Sequence, residues 1–386
     1  MQATLKALVL TAVMLAMSAL PGRAEEAAAQ GPLVLKTMGS ILFAGSVVTE
    51  ADGDTFHGDH GYAQFFVPQT SRGLPMVMWH GIGQHGKTYE TTPDGRDGYM
   101  QIMPRRDWSV YILDQPRRGR AGRTMAPNTG SDVLTLLKES SAWNAFRLGV
   151  WVPPATRPFF PGVQFPQDEF SVDQFWRQQT PDTGVEPKTP EHRKFMGEAV
   201  GDLFKKIGPG ILVTHSNSGQ YGWATAMENP DLVKAIIAYE PGACAFPDNE
   251  PPAETEILHP QVKIFQAPQL VPVAEFKKLT KMPILIVFGD NISETPSTVF
   301  NVEVWRVAKI RAQQFVDAVN RHGGDARLVH LPEMGIHGNT HIPFADLNNV
   351  QIADQLSEYL REKGLDGYDN PHAGPDWEKL KREFNK

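Results

Sequence analysis

The pattern of apolar and polar positions changes character along the chain. From Ser40 to Val48, and again from Tyr62 to Val67, apolar residues alternate with polar ones. The turn-rich Ala51-Asp52-Gly53-Asp54 lies between them, which predicts an antiparallel hairpin. Further on, the apolar runs are short and continuous: Met76–Trp79, Val110–Leu113, Ile211–Val213, Lys234–Ala238, Ile284–Phe288 and Arg327–Leu331. Such runs suit strands covered on both faces of a mostly parallel sheet. Between several of them, Pro190–Ile207, Gly219–Glu228, Val304–His322 and Asn348–Lys363 carry apolar residues at helical spacing. Strands alternating with helices predict a doubly wound α/β domain.

Two stretches interrupt this rhythm. From about Pro127 to Lys188, a helical segment near Ser131–Ala145 precedes Trp151-Val152-Pro153-Pro154, Phe159-Phe160-Pro161, Phe165-Pro166 and Phe175-Trp176. So much proline excludes long regular elements, leaving a cap with aromatic walls or an irregular excursion packed for stability. From about Pro247 to Lys281 lies a second insertion of similar kind. No internal repeat is present, and the C-terminus reads as a charged tail.

Composition adds the compartment. Lys6, the apolar run from Ala7 to Leu20 and the small residues ending at Ala24 read as a secretory leader, residues 1–24, too short for a comfortable membrane span. That leaves residues 25–386 as one domain, periplasmic or secreted. Cleavage removes Lys6 and Arg23 and no acid, so the formal charge of −7 becomes −9, which disfavours nucleic acid as a partner. With 41% apolar and 21% charged residues the chain is an ordinary globular one. Its one cysteine, Cys244, excludes an intrachain disulfide and a cysteine-rich metal site, and reads as a small buried apolar residue.

Candidate chemistry gathers at strand ends. Ile211-Leu212-Val213 runs into Thr214-His215-Ser216-Asn217-Ser218-Gly219 and then a helix, the strand–turn–helix context of a nucleophile elbow. A tight turn needs small residues two places either side of the serine. Ser216 has Thr214 and Ser218 there, whereas Ser218 would have Ser216 and the bulky Gln220, so Ser216 is the expected nucleophile. Thr214 stands where glycine is usual, and a serine after a strand is often only a helix cap. Upstream, His80-Gly81-Ile82-Gly83-Gln84-His85-Gly86 follows a strand, and its backbone can approach a substrate closely. The expected oxyanion donors are the amides of Ile82 and Asn217. A phosphate loop is the alternative, but no Lys-Ser or Lys-Thr follows at the right spacing. After the last strand, Gly335 to His341 offers two possible bases, His337 and His341, of which His341 is preferred.

Taken together, His80-Gly81, the run Gly86 to Arg96, Asp114-Gln115-Pro116, Arg118-Gly119-Arg120, His215 to Gly219, Glu240-Pro241-Gly242, Phe288-Gly289-Asp290 and Gly338 to His341 resemble a branch of bacterial α/β-hydrolase esterases over roughly residues 40–365. The resemblance implies the α/β-hydrolase fold, a Ser216, Glu240, His341 triad, and hydrolysis of a small carboxylic ester with no metal or organic cofactor. It also implies an acid on the sixth strand, at Glu240, instead of after the seventh. Consistently, the place two beyond Asp290 is Ile292, which cannot orient an imidazole. Asp290 or Glu294 is the alternative acid. Glu240→Gln is expected to leave the thermal midpoint nearly unchanged. The chain departs from the branch at Ile82-Gly83, where some members carry paired cysteines, and in the length of the second insertion.

Two questions stay open at this level. Arg117, Arg118, Arg120 and Arg123 follow a strand end, where they could hold a substrate carboxylate or simply pair with local acids. The same triad would also serve an acyltransferase or amidase, and a degenerate hydrolase could act as an extracytoplasmic binding protein.

Overall fold

The computed structural model describes residues 31–122, 138–179 and 186–384. The expected leader, the first part of the expected helix near Ser131–Ala145, and Arg123 lie outside them.

Eight strands form one sheet: β1 (Leu35–Thr49), β2 (Thr55–Pro68), β3 (Met76–Trp79), β4 (Val110–Asp114), β5 (Gly210–His215), β6 (Val233–Tyr239), β7 (Pro283–Phe288) and β8 (Asp325–His330). Their order is β1-β2-β4-β3-β5-β6-β7-β8. β2 runs antiparallel to β1 and β4, and all other pairs are parallel. The six continuous runs fall on strands, as expected; five strands are buried, whereas β8, at the sheet edge, is largely exposed or half-buried. The hairpin is longer than its alternation suggested, pairing from Leu35↔Pro68 to Thr49↔Thr55. Towards its tip Val47, Val48 and Phe56 are exposed, so backbone pairing and not core burial carries it there.

Period-two geometry divides the strand residues between two cores. Val77, Trp79, Leu212, Ile236, Ile284 and Ile286 face one layer, with α3 (Pro190–Ile207), α4 (Ser218–Glu228) and α5 (Phe300–Arg321). Met76, Met78, Ile211, Val213, Ile237, Leu285 and Val287 face the other, with α6 (Asn349–Glu362) and the first insertion. A continuous apolar run is what two covered faces require. α3 shows how the helices are bounded: Thr189 caps it by accepting from the His192 amide, Pro190 occupies its first turn, and Gly208 at φ +91° ends it.

The first insertion holds α1 (Glu139–Ala145) and α2 (Glu169–Arg177), with irregular chain between. Trp143, Phe165 and Phe175 are fully buried there, and Trp143 packs on Phe159 with ring centroids 4.6 Å apart. These buried rings belong to the second core, whereas Trp151, Phe159, Phe160 and Trp176 are only partly buried against it. The second insertion is more regular than its prolines suggested. Ala245–Pro247 pairs in parallel with Gln269–Val271, Pro260–Phe265 is helical, and Phe246, Val262, Phe276 and Leu279 reach the first core. The charged tail is also structured: α7 (Trp377–Phe384) lays Leu380 against that core. Trp377, Leu380 and Phe384 at helical spacing are the signal that would have revealed it. Among the described residues no helix is long and apolar enough to cross a membrane.

Because β3 and β5 to β8 run parallel, their C-terminal ends share one edge of the sheet, and the chain segments that follow them meet there.

Candidate active site

Ser216 stands between β5 and α4 at φ +55°, in the left-handed region that a bulky turn residue seldom occupies. Its amide donates to the Tyr239 carbonyl at 2.9 Å, and its own carbonyl accepts from Gly219 at 3.0 Å and Gly242 at 2.7 Å. These bonds fix the turn. Thr214 fits two places before it because Gly222 faces it from α4: a Cβ on Gly222 would lie 2.8 Å from the Thr214 methyl. The bulk moved off the usual glycine is therefore taken up on the helix. Ser218 is differently placed. Its hydroxyl accepts from the His215 amide at 2.9 Å and stands within hydrogen-bond reach of the Trp79 and His215 carbonyls, at 3.0 and 2.9 Å. That buried pin ties the elbow to β3.

Glu240, at the end of β6 with φ +44°, is fully buried against His341, whose Nδ1 lies 2.5 Å from Glu240 Oε2. Facing a carboxylate, Nδ1 carries the proton, so Nε2 is left as the basic nitrogen. Glu240 Oε1 accepts from the Gly289 amide at 2.7 Å. Arg147, from the first insertion, donates Nη1 to Oε2 at 2.7 Å and Nη2 to Oε1. Burial alone would raise the Glu240 carboxyl; the Arg147 guanidinium and His341 outweigh it and hold it well below the usual carboxylate range. Burial lowers the His341 pKa, partly opposed by Glu240.

The loop that presents His341 is braced on every side. Its amide donates to Phe146 at 3.0 Å, its carbonyl accepts from His215 Nε2 at 2.8 Å, and its ring lies against Trp305 with centroids 3.9 Å apart. His215 is kept neutral, first by burial and then by His341. Asp346 accepts from the Thr340 amide, the Thr340 hydroxyl and Asn339 at 2.7 to 2.9 Å, and burial pushes it up to about 7. Asp290 accepts from the Gly338 amide at 2.8 Å and stands 3.5 Å from His337, an exposed side chain. Asp290 and His337 thus meet each other at the loop's outer side, while Glu240 and His341 meet in the interior. Glu294 is exposed.

Gly81 crosses directly over the elbow: a Cβ there would come within 3.0 Å of both Ser216 Cβ and His215 Nδ1. Gly83 at φ +68° then turns the chain, leaving the Ile82 side chain 39% exposed. Asn217 opens α4. Its side-chain nitrogen donates to Glu186 at 2.6 Å, and its oxygen accepts from Gln220 at 2.5 Å. Glu186 also accepts from Gln115, Arg118 and Tyr221 at 2.6 to 2.8 Å. Of the basic cluster, Arg117 pairs with Asp59, Arg118 with Glu186 and Arg120 with Asp114. For these three described arginines the partners are therefore acids of the protein itself.

No family model matches the chain. The fold does match a solved structure described as a novel bacterial esterase, with a TM-score of 0.69 and 31% identity over 86% of this chain and 97% of that one. The chain belongs to the bacterial α/β-hydrolase esterases. As such it is a carboxylic ester hydrolase. This esterase is also 27% identical over 337 residues to a "probable secreted lipase" of Fungal sp., covering 78% of the chain and 86% of that relative. Sequence reasoning about the esterase missed Arg147, Glu186 and Trp305. Each comes from an insertion or a helix face with no local motif, so spacing carries no signal for them.

Proposed function

We propose that this esterase hydrolyses small carboxylic esters through an acyl-enzyme on Ser216. His341 Nε2 takes the hydroxyl proton as Ser216 Oγ bonds to the ester carbonyl carbon. The tetrahedral oxyanion is held by the amides of Ile82 and Asn217, and collapse expels the alcohol, which receives that proton. Water, deprotonated by the same nitrogen, then attacks the acyl carbonyl carbon; the bond to Ser216 Oγ breaks, Oγ takes the proton back from Nε2, and the acid is released. Glu240 keeps the imidazole in the required tautomer and balances the imidazolium charge. The observation that carries this reading is a serine at φ +55° on a strand–helix turn, set on the same sheet edge as a buried carboxylate–imidazole pair of 2.5 Å. The apolar leader and the secreted relative support work outside the cytoplasm, periplasmic or secreted, after loss of residues 1–24.

A fluorophosphonate reports directly on the nucleophile. Peptide mapping after inactivation is expected to find the adduct on Ser216, with loss of nitrophenyl acetate hydrolysis in proportion to labelling. An adduct on Ser218, or full activity in a completely labelled enzyme, would overturn the assignment.

A further inference from the structure

Arg147 is buried, follows α1 at φ +57°, and spends its whole guanidinium on the site. Nη1 and Nη2 grip the two oxygens of Glu240, and Nε donates to the Asp290 carbonyl at 2.8 Å. The group also lies 5.6 Å over the Trp305 ring, which itself packs on His341 and donates to the Ala145 carbonyl at 2.7 Å. With Gly289 and His341 added, both carboxylate oxygens have two donors each, so Glu240 has one orientation available. The neighbouring Phe146 carbonyl receives the His341 amide, and Gln164 of the same insertion donates to the Gly338 carbonyl at 2.8 Å. A mobile lid would not be built into the acid and base in this way.

We infer that Arg147 is a positioning residue: it clamps Glu240 as a fixed carboxylate and thereby makes the first insertion part of the machinery that tunes His341. This rests on the triad reading given above. The charged and titratable groups around His341 are Glu240 from β6, Arg147 from the insertion and His215 from β5. His80 lies behind His215, Asp346 lies beneath the base loop, and Asp290 with His337 lies on its outer side. Among the described residues Arg147 is the one Arg or Lys bonded to the acid. Its charge offsets that of Glu240 and so disfavours the imidazolium. Removing it leaves Glu240 facing the base alone, which strengthens proton binding at His341.

The test measures kcat and KM for nitrophenyl acetate against pH in the full-length enzyme, with Arg147→Met, Arg147→Lys and, as reference, Glu240→Gln. Arg147→Met is expected to lower kcat on the order of tenfold or more, to keep KM within about threefold, and to move the acid-side inflection of kcat/KM upward by about one pH unit. Arg147→Lys keeps the charge but loses the fork, so its inflection should stay within a few tenths of a unit of the wild type while kcat recovers only partly. A folded Arg147→Met with a wild-type inflection overturns the inference, whether or not kcat falls. Should Arg147→Met fail to fold, Arg147→Met/Glu240→Gln removes both buried charges; its rate must then equal that of Glu240→Gln alone, and a further drop overturns the inference. If Glu240→Gln itself keeps wild-type activity, the triad reading fails, independently of Arg147.

Discussion

Ser216 and Glu240 both occupy positive φ, at +55° and +44°, on adjacent strand ends. Each such residue costs about 1–2 kcal/mol, offset here by backbone bonds to the neighbouring strand: Ser216 to Tyr239 and Glu240 to Val287, both at 2.9 Å. The strain aims two side chains outward from the same sheet edge. It also explains why neither position could be read from a helix or strand period. Arg147 changes what a substitution at Glu240 should do. Glu240→Gln leaves a buried guanidinium without its counter-charge, so the expectation of an unchanged thermal midpoint is corrected: the midpoint should fall by several degrees. Turnover should fall by about a thousandfold or more, whereas Asp290→Asn, which disturbs only the loop's outer support, should cost less than about tenfold. Calorimetry with kcat/KM on both variants checks this, and a larger rate loss in Asp290→Asn would place the acid on β7.

At the scale of elements, the parts under the strongest local constraint were legible. The buried strands appear in the sequence because a strand covered on both faces has no polar position to interrupt it. α3 appears because its cap, its proline and its terminal glycine bracket the apolar period. The longer hairpin, the pairing of Ala245–Pro247 with Gln269–Val271, and α7 were not seen. The hairpin's tip is held by backbone pairing that leaves no apolar pattern, while the other two depend on partners further away in the chain. Glu186 and Arg147 were hidden for the same reason, the second meeting Glu240 across 93 positions. The elbow shows a subtler compensation. Thr214 weakens the motif when read alone, yet Gly222 on the next element makes room for it. Gly222→Ala should therefore destabilise the enzyme by about 1–2 kcal/mol despite alanine's better helix propensity, because the new methyl meets Thr214. Adding Thr214→Gly should recover most of that loss. Chemical denaturation of the two single variants and the double variant reads the coupling, and strictly additive effects would show that the two sites do not share the space.

The whole molecule carries several ionisable groups in its interior, and together they determine how stability responds to acid. His80 and His372 are lowered to about 4, chiefly by burial, and His215 lies well below its usual value for the same reason. Each has a lower pKa in the folded state than in the unfolded chain, so the unfolded chain binds the extra proton, and stability is lost as pH falls through about 6.5 toward 4. Asp346 acts in the opposite sense. Burial pushes it up to about 7, so it contributes stability at low pH that is lost as pH rises toward 7. Among the described residues His85, His192 and His341 are lowered by burial as well, so across the shared window the lowered histidines outnumber the raised carboxyls of Asp346 and Glu228, and the histidines prevail. Glu240 and Glu186, both held low by Arg147 or Arg118, add their loss only below about pH 4.5. The thermal midpoint should therefore decline from about pH 6.5 downward, before ordinary carboxylates titrate. His372 is the informative site, because it lies away from the triad, with its Nε2 2.8 Å from the Tyr111 hydroxyl. His372→Gln should lower the midpoint at neutral pH, where that bond is lost, and flatten the slope between pH 6.5 and 4. A midpoint that stays level or rises over that interval in the wild type, or an unchanged slope in His372→Gln, would mean that the buried imidazoles do not govern the acid response.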